Sequence, residues 1–329
     1  MALAGFTSLM RSVFDQGMMR QFYPPTATFQ PERDIPSLTG QVVLVTGGNG
    51  GIGYETCKHL LLKEAKVYMA ARRPDAAKEA AARLLEETGR APEILILDLG
   101  DLESVRKGAE EFKKKEPVLH RLYNNAGAVW VPTEMLTKQG YDLAFGTNVV
   151  GHYFFTILLM PILEHTFDVT GVRPRILNVS SSAHVVSYGA TGITWPSITD
   201  SSERSKIAPS MGSYALYCQS KFGVILLSYL LDRHYGQKVL SIALNPGNFE
   251  SGAYRYLNGA QKNTVNLVLY TVEDGCKTQL WAGTAPEGNF TGGDYLIPWA
   301  LKGTSDPRTH NTQTQDELWT WLQKQCEDF

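Results

Sequence analysis

The run Val42-Val43-Leu44-Val45 leads directly into Thr46-Gly47-Gly48-Asn49-Gly50-Gly51-Ile52-Gly53, and a helical pattern follows. No other stretch restricts the fold as strongly. Four consecutive apolar residues read as a short strand buried on both faces, as in a parallel sheet. Glycines crowded after such a strand mark a turn from which side chains are kept out. The helix beyond it offers free backbone N–H groups and the positive end of its dipole. Strand, glycine turn and helix in that order cradle a dinucleotide pyrophosphate. Two spacings fit the same glycines. One is Gly48-x-Gly50-x-x-Gly53, the general dinucleotide pattern. The other is Thr46-Gly47-x-x-x-Gly51-x-Gly53.

The rest of the chain repeats the alternation. Strands are expected at 66–70, 94–97, 118–123, 175–179 and 239–244. Helices are expected at 75–87, 102–115, 135–163 and 214–234. This order predicts an α/β fold with a parallel sheet and helices on both faces, doubly wound by right-handed crossovers: a Rossmann fold. Residues 183–213, with Gly189, Gly192, Pro196 and many serines, form a long insertion before the last of these helices. Loops of that length are often functional. Pro24, Pro25, Pro31 and Pro36 mark 23–40 as an extended linker. The expected organisation is therefore an N-terminal helix and linker over 1–40 and one catalytic domain over 41–329, ending in a helix.

Composition narrows the class. With 43% hydrophobic and 19% charged residues the chain can bury a large core. The net charge is −2, and the richest basic run, Lys113-Lys114-Lys115, lies beside Glu110, Glu111 and Glu116, so it reads as a solvated helix face. No nucleic-acid partner is expected. Cys57, Cys218, Cys276 and Cys326 are scattered without metal-ligand spacing, which implies reduced thiols, a cytoplasmic protein and no metal. The apolar run 153–163 is too short to span a bilayer, so no integral membrane segment is expected. Leu3, Phe6, Leu9, Met10, Val13, Phe14 and Met18 recur at helical spacing. The segment's charged side chains are Arg11, Asp15 and Arg20 alone, so a helix packed on the catalytic domain is expected. A membrane-surface helix is the alternative.

Two further segments carry chemistry. The second strand runs into Ala71-Arg72-Arg73 with no acid at its end. An acid there would bind a ribose 2′-hydroxyl, whereas a guanidinium pairs with a 2′-phosphate, so Arg72 favours NADP. Asp75, after Pro74, reads as the cap of the next helix. Further along, Tyr217-Cys218-Gln219-Ser220-Lys221 places Tyr217 and Lys221 on one helix face. A free tyrosine titrates near about 10, and an adjacent ammonium favours its phenolate, which makes a general acid/base. Tyr54-Glu55-Thr56-Cys57-Lys58 has the same spacing. It starts the helix beside the phosphate cradle and reads as structural.

With these features the chain resembles the short-chain dehydrogenase/reductase family over residues 40–300, and the second glycine spacing is that family's. Asp98-Leu99, Asn124-Asn125-Ala126-Gly127, Asn148 and Asn178-Val179-Ser180-Ser181 add to the match. The resemblance implies that Asp98 and Leu99 contact adenine, and that Gly47, Gly51, Ile52, Gly53, Asn125, Ala126 and Gly127 hold the cofactor. It implies that Asn148 holds a proton-relay water and that Ser181, rather than Ser180 or Ser182, is the catalytic serine. Asn245-Pro246-Gly247 looks like the nicotinamide-side loop, with Pro246, Gly247, Phe249 and Ser251 as contacts. Phe249 departs from the small aliphatic residue usual in the family. The long gap before Tyr217 and Ser182-Ala183-His184 resemble the retinol dehydrogenase and WW-domain oxidoreductase branch. His184 reads as structural or substrate-lining.

The implied activity is NADP-dependent hydride transfer between nicotinamide and a carbonyl or alcohol of a small apolar substrate. Tyr217 then moves the proton, Lys221 lowers its pKa and holds the ribose, and Ser181 stabilises the oxygen. Trp130, Met135, Tyr188, Trp195, Tyr254 and Tyr256 are candidates for an apolar pocket. The alternatives are a retinoid- or lipid-type reductase at a membrane surface, a sugar-nucleotide epimerase and a non-catalytic NADPH-binding regulator. A homo-oligomer is compatible with the sequence.

Overall fold

Val42–Thr46 is buried at every position, as a strand covered on both faces must be. In the computed structural model, which describes residues 16–249 and 269–329, this strand (β1) lies inside an eight-stranded sheet. The others are β2 (Lys66–Ala71), β3 (Glu93–Ile96), β4 (Arg121–Asn124), β5 (Arg175–Val179), β6 (Leu240–Leu244), β7 (Tyr295–Ile297) and β8 (Leu301–Gly303). Their order is β3-β2-β1-β4-β5-β6-β7-β8. All neighbours are parallel except β7 and β8, which pair antiparallel. The doubly wound Rossmann fold expected from the alternation is present. The sequence pattern did not reveal β7 and β8, because each is three residues long and carries no periodic signal of its own.

The parity of the strands builds two cores. Val42 and Leu44 point to one face with Tyr68, Leu95, Leu122 and Ile176. Val43 and Val45 point to the other with Val67, Met69, Leu177 and Val179. Helices α2 (Gly51–Leu62), α3 (Pro74–Thr88) and α7 (Lys277–Thr284) cover the second face, after the short α1 (Gln16–Phe22). Helices α4 (Leu102–Lys115), α5 (His152–Thr170) and α6 (Arg204–Tyr235) cover the first, and α8 (Thr312–Cys326) packs outside them. In α4, Leu102, Val105, Ala109 and Phe112 form the buried stripe, while Lys113, Lys114 and Lys115 stay exposed. Glu116 does not share that solvated face: it is buried and accepts from Tyr68 Oη at 2.6 Å.

Several boundaries differ from the sequence reading. Helix over 135–142 is replaced by a turn closed by the Leu136–Asp142 bridge, and helical structure begins at Leu143. Asp142 sets that start by accepting the Phe145 N–H at 2.9 Å. Asp75 does not cap α3. Arg73 holds the cap position without a side-chain bond, and Asp75 lies in the first turn, where it complements the dipole. The insertion is ordered, with short 3-10 turns at Ser182–Val186 and Trp195–Ser197, and α6 begins inside it at Arg204 with a kink at Gly212. The apolar run extends beyond 153–163. Leu143–Thr170 is long and apolar enough to cross a bilayer, but 78% of its most apolar window is buried in the fold. Within 23–40, Phe29, Ile35 and Leu38 join the core and Pro31–Asp34 makes one helical turn. Leu3, Phe6, Leu9, Met10, Val13 and Phe14 lie outside the described residues, as do Ser251, Tyr254 and Tyr256.

Candidate active site

Strand order reverses between β1 and β4, and the crevice beyond their C-terminal ends is where such sheets bind ligands. Thr46, the last residue of β1, ties the two strands together. Its hydroxyl oxygen accepts the Asn125 and Ala126 N–H groups, both at 2.9 Å, and its carbonyl accepts from Asn125 Nδ2 at 2.8 Å. The glycine loop follows. Gly47 and Gly51 have φ of +66° and +54°, which favour glycine. A Cβ on Gly53 would meet the Gly47 oxygen at 2.4 Å, whereas one on Gly50 would meet nothing within 4 Å. A Cβ on Gly48 would meet Met69 Cγ at 2.8 Å and Cys57 Sγ at 2.9 Å, so Gly48 is crowded as well, and Gly53 serves both spacings. The open space at Gly50 and the positive φ of Gly47 and Gly51 favour the Thr46-Gly47-x-x-x-Gly51-x-Gly53 spacing.

No side chain caps the N-terminus of α2. Its free N–H groups and the side-chain-free turn fit a pyrophosphate. Arg72 and Arg73 stand exposed at the end of β2, and neither pairs with a carboxylate among the described residues. Asp98 is half-buried and uses one oxygen to accept the Gly100 N–H at 2.9 Å. Leu99 is buried, its backbone close against Gly151. Ala126 approaches Gly47, and Gly127 is exposed at the crevice.

Lys221 lies beneath this crevice. It is 4% exposed and donates to the Val179 carbonyl at 2.7 Å. Burial pushes its ammonium down to about 8, and no carboxylate faces it among the described residues. Its Nζ is 5.9 Å from the centre of the Tyr217 ring. Tyr217 packs with Ala183, Cys218, Val129, Trp130 and Val186. The backbone after β5 separates the three serines. Ser180 is buried and donates to the Lys221 carbonyl at 2.7 Å. Ser182 is buried too. Ser181 is partly exposed, and its Oγ accepts the Ala183 N–H at 3.2 Å. That leaves the Ser181 hydroxyl proton for another acceptor.

Asn148 belongs to a wide helical turn, Gly146–Gly151, that precedes α5. Such turns are frequent at functional sites. Its side chain accepts from Ala128 N at 2.8 Å and donates to Ser220 Oγ at 2.9 Å and to the Ala128 carbonyl at 3.0 Å. Ser220 in turn donates to the Tyr217 carbonyl at 2.7 Å. A Cβ on Gly127 would lie 3.5 Å from both Asn148 Oδ1 and Lys221 Nζ, so these three residues converge.

Sequence reasoning missed His152. Its Nδ1 lies 3.1 Å from the Asn148 carbonyl and its Nε2 3.0 Å from Thr46 Oγ1. A carbonyl only accepts, so the ring proton sits on Nδ1. Burial holds His152 near 3, hence neutral, and it links the glycine loop to the Asn148 turn. A His four residues beyond Asn148 gives no sequence signal of this kind.

On the nicotinamide side, Gly247 has φ +86° and Pro246 is buried. Phe249 packs between Ile52 and the Tyr270 strand bridge, with Gly275 making room for it. The structure does not bring every candidate to the site. Trp195 packs on Trp321 of α8 with ring centres 5.6 Å apart. Tyr54 donates to Glu87 at 2.8 Å, and Lys58 pairs with the same carboxylate at 2.7 Å. Burial and Glu87 push Tyr54 up to about 12, which suits a structural tyrosine and not a base.

Comparisons with known proteins bear on the family and the fold. The profile of the short chain dehydrogenase family matches residues 41–193. A short-chain dehydrogenase/reductase of Armillaria gallica is 45% identical over 95% of this chain and 98% of its own. The polyprenol dehydrogenase of Homo sapiens is 31% identical over 94% of this chain and 88% of its own. Among solved structures, the Pseudomonas aeruginosa RhlG/NADP active-site complex superposes with a TM-score of 0.61 at 25% identity, over 80% of this chain and 95% of that one.

Proposed function

The chain belongs to the short-chain dehydrogenase/reductase family of oxidoreductases, and on that footing we propose an NADP-dependent enzyme that interconverts a carbonyl and an alcohol on an apolar substrate. The observation that carries the reading is the buried Lys221 ammonium facing the Tyr217 ring, with no acid among the described residues to neutralise it. A cation held in that way favours the phenolate and makes Tyr217 an acid/base near neutral pH.

Bound NADPH supplies the hydride in the reductive direction. Gly47, Gly51, Ile52 and Gly53 would hold its pyrophosphate at the start of α2, and Arg72 would pair with the 2′-phosphate. Asp98, Leu99, Asn125, Ala126 and Gly127 would hold its adenosine side, and Pro246, Gly247 and Phe249 its nicotinamide side, with Ser251 assigned to that side by the family pattern alone. Tyr217 donates the proton to the substrate oxygen. Ser181 directs its free hydroxyl proton at the same oxygen and stabilises the charge that develops there. Lys221 holds the ribose hydroxyls. Asn148 holds the 127–128 turn against the helix of Tyr217 and supports the proton path.

An apolar substrate is favoured by the wall beside Tyr217. Trp130 meets Tyr214 edge to face with ring centres 5.4 Å apart, and Trp130 holds φ +48°, a conformation rare for a bulky residue. Tyr214 is exposed, as is Tyr188. The polyprenol dehydrogenase relatives from human and zebrafish favour a second reading, a long-chain lipid alcohol taken from a membrane surface. A cytoplasmic location is proposed from the four unpaired cysteines.

The test follows oxidation of NADPH and NADH with a panel of short and long apolar carbonyl compounds. Turnover with NADPH is expected, and Arg72→Ala is expected to lower NADPH affinity about ten- to hundredfold with little change for NADH. No turnover with any compound, or equal use of both cofactors unaltered by Arg72→Ala, rejects the proposal.

A further inference from the structure

Helix α1 lies before the family's glycine motif, yet one of its side chains enters the active-site framework. Gln21 is 6% exposed. Its Oε1 accepts from Asn245 Nδ2 at 3.0 Å and from Tyr295 Oη at 3.1 Å. Asn245 and Tyr295 are themselves 1% and 3% exposed. The orientation of this network is determined by groups that have no choice. The Gly247 N–H must donate, and it does so to Asn245 Oδ1 at 3.0 Å. The Asn245 amide nitrogen must then face Gln21, and Gln21 must present its oxygen.

Both arms of the network end at the site. The Asn245 arm sets the turn at Gly247, at the head of the loop that leads to Phe249. Helix α1 holds this loop at a second point, where Tyr270 Oη donates to the Phe22 carbonyl at 3.3 Å while Tyr270 pairs with Phe249. The Tyr295 arm meets the His184 ring edge-on with ring centres 5.1 Å apart. His184 is fully buried, and its Nε2 accepts the Asp306 N–H at 3.0 Å. Its proton is therefore on Nδ1, which donates to the Ser181 carbonyl at 2.7 Å. Thus Gln21 stands between the nicotinamide-side loop and the segment that carries Ser181.

We propose that Gln21 is a positioning residue of the active site, which holds the Asn245–Phe249 loop and the Ser181–His184 segment in register through one shared acceptor. This rests on the assignment of those segments under the proposed function. The N-terminal segment is then part of the working site and not an appendage to it.

The test uses the full-length protein with Gln21→Leu, which removes the acceptor but keeps the bulk, and Gln21→Glu, which keeps acceptor oxygens. Hydrogen–deuterium exchange of the cofactor-free protein reads the positioning directly. Gln21→Leu is expected to speed exchange in peptides covering 245–249 and 182–187. It leaves two buried donors, Asn245 Nδ2 and Tyr295 Oη, without their acceptor and is also expected to raise the dissociation constant and KM for NADPH about tenfold. Gln21→Glu is expected to restore both towards wild type. Should Gln21→Leu fail to fold, Gln21→Asn, with the amide drawn back by one methylene, carries the same expectation. Wild-type exchange in both peptides of the Leu variant, or a Glu variant as defective as Leu, overturns the proposal. A wild-type protein that binds no nicotinamide dinucleotide sinks the proposed function instead, and the exchange result still decides whether Gln21 holds the two segments.

Discussion

Two tyrosines share the same spacing to a lysine, and their surroundings separate them. Tyr54 faces Glu87 and is pushed up, whereas Tyr217 faces an unneutralised ammonium. Tyr217→Phe is expected to cut turnover at least about hundredfold, the scale of a lost general acid, and to leave NADPH affinity nearly intact. Tyr54→Phe is expected to leave turnover unchanged. Steady-state kinetics and a binding titration on both variants check this, and the reverse result would place the site elsewhere. Lys221 makes a second prediction. Its fall from 10.5 to about 8 means that below pH 8 the folded protein carries a buried charge at a cost of about 3 kcal/mol. Between pH 8 and 10.5 the folded state releases that proton before the unfolded chain does, so this contribution to stability rises with pH. Lys221→Met is therefore expected to abolish turnover while stabilising the cofactor-free protein at pH 7 by roughly 2 kcal/mol, after the lost bond to Val179 is allowed for. That gain disappears by about pH 10.5, the unfolded value. Urea denaturation at the two pH values measures it.

At the scale of elements, the site depends on where helices begin. The apolar periodicity of 135–163 hides a start that Asp142 imposes, and Arg204 secures that start. The Arg204 guanidinium, buried like its partner, bonds Asp142 at 3.2 Å and the Thr133 carbonyl at 2.7 Å. Burial raises the Asp142 carboxyl, and Phe145 and Arg204 oppose that rise. This arrangement sets the phase of the wide turn that carries Asn148. The start of α2 is equally exacting, and its glycines differ in what they tolerate. Gly53→Ala forces a methyl against the Gly47 carbonyl, so a loss of about 1–3 kcal/mol in stability is expected, together with weakened NADPH binding. Gly50→Ala, with open space and an extended backbone, is expected to be nearly silent. Thermal melts and cofactor titrations of the pair distinguish the two glycine spacings, and equal damage at both positions would contradict the structural choice between them.

The whole molecule joins its two ends over the site. Helix α1 reaches it through Gln21, and the C-terminal segment reaches it through Arg308. The Arg308 guanidinium donates to the carbonyls of Ser187 and Gly189 at 2.8 Å and pairs with Asp306 at 2.7 Å. It therefore braces the segment that follows Ser181. Removal of residues 1–22 takes away the buried Met18 and Gln21. The truncated protein is expected to melt several degrees lower and to bind NADPH more weakly, without any change in its partition between membranes and solution. Calorimetry and a liposome sedimentation assay read the two effects. Liposome binding that is strong in the full chain and lost on truncation would favour the lipid-alcohol reading.

The local pattern of the chain determined the alternation of strands and helices, and with it the parallel sheet and the crevice at β1 and β4, because burial on two faces and helical periodicity are properties of short segments. Local spacing also gave the candidates Thr46–Gly53, Tyr217 and Lys221, while Asn125, Asn148 and Ser181 came from the family resemblance that these motifs carry. Tertiary structure decided among them. Only contacts between distant segments show that Gly53 is crowded and Gly50 is not, that Ser180 donates to the Lys221 carbonyl while Ser181 keeps its hydroxyl proton, or that one tyrosine faces an acid and the other a buried ammonium. The parts that left no trace in the pattern, β7, β8, His152 and Gln21, are those whose stability or role comes wholly from partners far away in the chain. A short strand needs a neighbour to pair with, and a buried amide needs donors that the sequence around it does not contain.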